Sequence, residues 1–297
     1  MRLITFCLVT IIFGVALPAQ SSIHKFDGTE AFGFLLKQCS FGPRPVGSEA
    51  HNRTRDYLIA KLKESADSVT VQNFSHVQDG KTYALCNIIG QFGHGKIPGI
   101  LLCAHWDTRP TADQELLPED QAKPIMGADD GASGVAVLLE IAKLLHQDRP
   151  SVPVTIVFLD GEDFGPSLAD MLLGARYFAS TVDVRRYKYG VLLDMVGKRN
   201  LVLYREKHSD RAAGDVNDKI WKKAAELGYS GTFRNHAKYA IEDDHIPLID
   251  AGLPCVDLID LDYPYWHTLK DTTDKCSRES LEITGKTVLE VVLSERP

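Results

Sequence analysis

Residues 153–163 read PVTIVFLDGED: a proline, an apolar run of strand length, then three acids within four positions. The run is rich in β-branched and aromatic residues and has no polar face, which predicts a strand buried on both sides. Gly99–Ala104 (GILLCA), Gly190–Asp194 (GVLLD) and Pro254–Ile259 (PCVDLI) have the same character, and Tyr83–Ile89 reads as a further strand. Between them lie helical patterns over Ala132–Leu145, Ser167–Ser180, Val216–Leu227 and Glu279–Leu293, with an amphipathic surface helix at Ala50–Glu64. The turn-rich stretch Gln38–Ser48 separates that helix from an earlier helical pattern. Buried strands alternating with helices predict an α/β three-layer sandwich, with a central mixed, mostly parallel sheet flanked by helices. No break in the alternation marks a boundary, so one domain is expected over residues 20–297.

The chain has 297 residues, 44% hydrophobic and 25% charged, with a formal net charge of −7. That balance and the lack of a basic cluster exclude nucleic acid as the main partner. Arg2 followed by the apolar run Leu3–Leu17 and the small residues Gly14, Ala16 and Ala19 reads as a secretory signal over residues 1–19. The run is shorter than the roughly 20 residues that span a bilayer. The expectation is a secreted or periplasmic protein with no stable membrane span after cleavage. Beyond the signal stand Cys39, Cys86, Cys103, Cys255 and Cys276, with no C-x-x-C spacing. Three of them lie in strand-like runs, where cysteine is usually a small buried hydrophobe; their pairing is left open, as is the oligomeric state.

Acidic or histidine-bearing motifs stand where the apolar runs stop: Cys103-Ala104-His105-Trp106-Asp107, Gly127-Ala128-Asp129-Asp130-Gly131, Asp160-Gly161-Glu162-Asp163, Leu193-Asp194-Met195, and Tyr265-Trp266-His267-Thr268 after a loop. The carboxyl ends of strands border the ligand crevice in an open α/β sheet. Taken singly, a strand-end aspartate is commonly a cap or turn former, and Asp129 reads as a cap of the helix that follows it. Together, His105, Asp130, Asp163, Asp194 and His267 form a nitrogen and oxygen ligand set suited to catalytic zinc. Five ligands suit two metals bridged by one carboxylate. Glu162, beside Asp163, is placed to handle protons.

The order H-x-D, G-A-D-D-G-A-S-G, G-E-D, L-D-M and W-H-T resembles the zinc aminopeptidase superfamily, from Gly42-Pro43-Arg44 to the last helix. Within it, Glu242-Asp243-Asp244-His245-Ile246-Pro247 and Tyr265-Trp266-His267-Thr268 resemble glutaminyl-peptide cyclotransferases, in particular the bacterial type. The resemblance implies a zinc aminopeptidase-like fold that acts on peptide amino termini, turning N-terminal glutamine into pyroglutamate with release of ammonia. It implies one zinc on Asp130, Asp163 and His267, with Glu162 as proton shuttle and Asp194 and Asp243 as a supporting carboxylate pair. Trp266 and Ile246 are then expected to form the apolar wall of the substrate pocket. The alternative is a two-zinc aminopeptidase that adds His105 and Asp194 as second-site ligands. Aspartate at 163, where many animal cyclases have glutamate, and Ala104 and Val135 in place of the animal cysteine pair both agree with the bacterial type. The resemblance also implies a cis peptide bond at Asp130-Gly131.

Overall fold

The computed structural model describes residues 25–95 and 97–297. The expected signal segment, residues 1–19, lies outside them. In chain order the elements are α1 (Gly28–Cys39), α2 (Glu49–Ser65), β1 (Ser68–Gln78), β2 (Lys81–Phe92), β3 (Gly99–His105), α3 (Pro118–Gln121), α4 (Ala132–Gln147) and β4 (Val154–Leu159). There follow α5 (Leu173–Thr181), β5 (Tyr187–Asp194), β6 (Leu203–Arg205), α6 (Lys207–Glu226), β7 (Phe233–Ala237), α7 (His245–Asp250), β8 (Cys255–Ile259) and α8 (Arg278–Ser294).

Six strands form the main sheet in the order β1-β2-β4-β3-β5-β8. β4, β3, β5 and β8 run parallel, while β2 is antiparallel to both β1 and β4. The sheet is thus mixed and mostly parallel, as expected. Period-two alternation divides the strand side chains between two cores. Ile100, Leu102, Ile156, Phe158, Val191, Leu193, Val256 and Leu258 face one; Leu101, Cys103, Val157, Leu159, Leu192 and Cys255 face the other. Helices α1, α2, α4 and α8 pack together on the first side, and α5 and α7 cover the second. With both faces covered, the parallel strands need apolar residues at every position, which is why 153–159 shows no alternation.

Several elements depart from the expected pattern. The segment 167–180 is not one helix: a single tight turn at Leu168–Asp170 precedes Leu172, whose φ of 57° breaks the path before α5. The N–H groups of Leu172 and Leu173 donate to the carbonyls of Glu162 and Gly161, at 3.1 Å each, and so are committed to the loop after β4. Helix α6 includes the expected helix from Val216 but is extended back to Lys207 across a kink at Ala213 (φ −144°, ψ 40°); the Glu206 carboxylate caps the added turns by accepting from the N–H groups of His208 and Ser209. Strand β1 was not anticipated; its residues alternate between exposed and half-buried, as befits a polar edge strand.

The five cysteines of the described residues are all free and buried. No helix among the described residues is long and apolar enough to cross a membrane.

Candidate active site

Three neighbouring parallel strands deliver acidic or imidazole side chains at their carboxyl ends. His105 ends β3, Glu162 and Asp163 follow β4, and Asp194 ends β5. Asp130 comes from the turn before α4, Asp243 from the loop before α7, and His267 from the loop after β8. Asp160 stays out of this group: its carboxylate accepts the N–H of Cys86 and pairs with His51 Nε2 at 2.9 Å.

His105 Nε2 lies 3.2 Å from Asp130 Oδ1 and 3.2 Å from Asp194 Oδ1. His267 Nε2 lies 3.4 Å from Asp163 Oδ1 and 3.6 Å from Asp130 Oδ2. Asp130 therefore sits between the two imidazoles. The ligand atoms of His105, Asp130 and Asp163 lie within 4.8 Å of one another, and all three side chains are buried. Asp130 Oδ2 and Asp163 Oδ2 have no hydrogen-bond partner. Buried acceptors that converge without donors fit a cation, and this oxygen and nitrogen set fits zinc. On the far side of His267, Nδ1 meets Asp113 Oδ1 at 3.0 Å, and Arg109 links Asp113 to Asp163. A carboxylate behind a ligating imidazole fixes its tautomer and ring orientation.

The protonation equilibria follow from burial and these neighbours. Burial, and then the charge of Asp163, push Glu162 well above the ordinary carboxylate range. The same two causes lift Asp130 to about 7. Asp163 is held low: burial opposes this, but His267, His105 and Arg109 outweigh it. Burial would lower His267, yet Asp163 and Asp113 raise it to about 10. Asp243 is lifted to about 7 by burial and by the charge of Asp194. Neighbouring carboxylates with such different affinities for protons mark acid–base chemistry.

Backbone clamps hold the ligand loops. The carboxylate of Asp107 accepts the N–H groups of Glu162 and Asp163, and that of Asp271 accepts those of Asp129 and Asp130. Buried Arg44 donates to the carbonyls of Trp106, Met126 and Gly127. The cis bond expected at Asp130-Gly131 is not found; among the described residues the cis bond is Gly165-Pro166. Gly131 instead takes the turn at a φ of 97°, where a Cβ would stand 2.8 Å from the Asp107 carbonyl oxygen. Asp129 does not cap α4 either: the cap is Gly131, and Asp129 Oδ1 accepts the N–H of Gly197 at 2.6 Å.

The cleft over these groups encloses about 70 Å³. Its acidic side is Asp130, Glu162, Asp163, Asp194 and Asp243, and its apolar side includes Met171, Ile241, Leu261 and Trp266. Trp266 is 36% exposed and stacks on His267 with ring centroids 3.9 Å apart. Met195 and His267, both on the cleft, have φ values of 45° and 54°, a backbone region unfavourable for either side chain. Ile246 does not line the cleft. It is the second residue of α7, whereas Ile241, in the extended loop before that helix, takes the place expected for it. Sequence reading also missed Asp113, Arg109 and Asp271, which stand in polar loops with no apolar run to mark them.

Residues 87–292 match the family described as peptidase family M28. A Zn-dependent exopeptidase from Parabacteroides distasonis superposes with a TM-score of 0.89 at 36% identity, covering 92% of this chain and 100% of that one. A glutaminyl cyclase from Tannerella forsythia superposes with a TM-score of 0.87 at 38% identity, covering 92% and 100%. A glutaminyl-peptide cyclotransferase-like protein from Bos taurus is 27% identical over 263 residues, which are 77% of this chain and 66% of that one. The chain spans about two thirds of the length of such curated relatives.

Proposed function

The chain belongs to peptidase family M28, and from its likeness to glutaminyl cyclases within that fold we propose that it is a zinc-dependent glutaminyl-peptide cyclotransferase. The reading further takes residues 20–297 as one catalytic domain and, from the apolar run at Leu3–Leu17, takes the protein as secreted or periplasmic. The observation that carries the activity is the two-sided cleft: buried Glu162 and Asp243 on one side, Trp266 and Ile241 on the other.

Asp130, Asp163 and His267 are the residues to hold the catalytic zinc. When bound, zinc supplies positive charge that polarises the side-chain amide carbonyl of an N-terminal glutamine. Glu162 accepts a proton from the α-amine as that nitrogen forms a bond to the amide carbon. It then returns a proton to the departing nitrogen, so the carbon–nitrogen bond breaks and ammonia leaves. Asp194 and Asp243 keep the amine oriented by hydrogen bonding. The apolar wall excludes water, which would otherwise divert the amide to hydrolysis.

A second reading, a two-zinc aminopeptidase, is favoured by one observation: His105 Nε2 lies at 3.2 Å from both Asp130 and Asp194, so a second ligand set is intact. Incubation with a glutamine-led peptide separates the two. The cyclase releases ammonia and leaves a product lighter by the mass of ammonia, and a chelator abolishes the release until zinc is restored. Free glutamine without ammonia would overturn the cyclase reading in favour of the aminopeptidase.

A further inference from the structure

Behind the cleft wall lies a second group of buried side chains, of which the reaction above uses only Asp243. Glu206 caps α6, His245 opens α7, Asp257 stands in the middle of β8, and Asp243 bridges from this group to the cleft. His245 and Asp257 are wholly buried, and Asp243 is nearly so.

The hydrogen bonds fix the state of the imidazole. Glu206 accepts from the N–H groups of His208, Ser209 and Ile241 and from the Ser209 hydroxyl. Burial would raise this carboxylate, but its hydrogen bond with His245 and those from the N–H groups of His208 and Ser209 hold it down at about 2, so it is ionised. His245 Nε2 lies 3.2 Å from Glu206 Oε2 and therefore carries the ring proton as donor. In the neutral ring Nδ1 is then a lone pair, and it has no hydrogen-bond partner. It looks toward Asp257, with Oδ2 at 3.8 Å.

Everything around that lone pair is an acceptor. Both carboxylate oxygens of Asp257 and Oδ2 of Asp243 lack a hydrogen-bond partner, as do both oxygens of adjacent Asp244. A proton on Asp257 does not resolve this, because 3.8 Å is beyond hydrogen-bond reach and Asp243 would stay unpaired. A metal does resolve it. Ligand atoms about 2.0–2.2 Å from a tetrahedral ion stand roughly 3.3–3.6 Å apart, close to the observed separation. The ligand atoms of Asp243, His245 and Asp257 all lie within 4.8 Å of one another. The Glu206 carboxylate behind His245 is the partner that a ligating histidine usually has.

We propose that Asp243, His245 and Asp257 form a second metal site, separate from the catalytic cluster, for a divalent cation of the zinc class. One imidazole with two carboxylates suits zinc better than the all-oxygen cations calcium or magnesium. The ion ties α7 to β8 and fixes Asp243, whose other oxygen accepts the N–H of Asp244, at the edge of the cleft. This site does not depend on which reaction the cleft performs.

The test uses the full chain, stripped with a chelator, reloaded with Zn²⁺, desalted and crystallised. Anomalous diffraction at the zinc edge is expected to place a peak between His245 Nδ1 and Asp257, apart from any peak at Asp130. Metal analysis of the same protein is expected to find one equivalent fewer in Asp257→Asn than in the unaltered chain. Peaks confined to the cleft would overturn the proposal and leave the cluster held by shared protons; so would equal zinc content in the two proteins. Should Asp257→Asn fail to fold, the anomalous map of the unaltered chain still decides, and neither measurement reads activity.

Discussion

Asp271 accepts the backbone N–H of Asp130 at 3.2 Å, and that of Asp129 at 2.9 Å with its other oxygen. Asp107 grips Glu162 and Asp163 in the same way. Each of these loops is thus pinned by a buried bidentate carboxylate. The Tyr263 hydroxyl donates to Asp271 at 2.6 Å and completes one of these clamps.

Asparagine keeps the shape of such a clamp but presents an NH₂ group to one of the two N–H donors. Asp271→Asn and Asp107→Asn are therefore expected to lower zinc affinity by about 10- to 100-fold while the fold persists. Competition with a chromophoric chelator measures this. Unchanged affinity in both variants would mean that the loops hold their shape without the clamps.

Glu162→Gln removes the proton carrier and keeps the side chain's volume. Ammonia release from a glutamine-led peptide should fall by about 10² to 10⁴-fold in kcat, with zinc content unchanged because Glu162 is not a ligand in this reading. A variant as active as the parent would remove Glu162 from the mechanism.

Arg44 is wholly buried and donates to three loop carbonyls, those of Trp106, Met126 and Gly127. Arg44→Met fills similar space but leaves those carbonyls without these donors. Urea unfolding should show a loss of about 3–5 kcal/mol. A loss below about 1 kcal/mol would show that the loop finds other partners.

Glu140, buried in α4 beside Lys143, is pushed up to about 7, chiefly by burial. Its folded-state pKa lies above its unfolded value, so the native state binds the extra proton, and stability declines as pH rises from about 4.5 to about 7. Glu140→Gln, neutral at every pH, should be more stable than the parent at pH 8, by roughly 1–3 kcal/mol. That advantage should shrink at pH 5; equal melting curves at pH 8 would refute it.

The sequence alone determined the sheet's buried strands and the acids at their ends. The run 153–159 is apolar at nearly every position because a strand covered on both faces has no polar side, a property that is local and readable. His105, Asp130, Glu162, Asp163, Asp194 and His267 were legible for the related reason that each adjoins such a run or a distinctive turn. Only the tertiary structure decided the rest. The order of the strands brings β3, β4 and β5 side by side, and this converts separate motifs into one cluster. Asp271 lies 141 residues from Asp130, and Asp113 lies 154 from His267, so no local pattern links either pair. Ile241 displaced Ile246 because the chain direction before α7, which no periodicity encodes, sets which isoleucine reaches the cleft. The expected helix at 167–180 broke for the same reason: partners distant in sequence took its N–H groups, and propensity yielded to them.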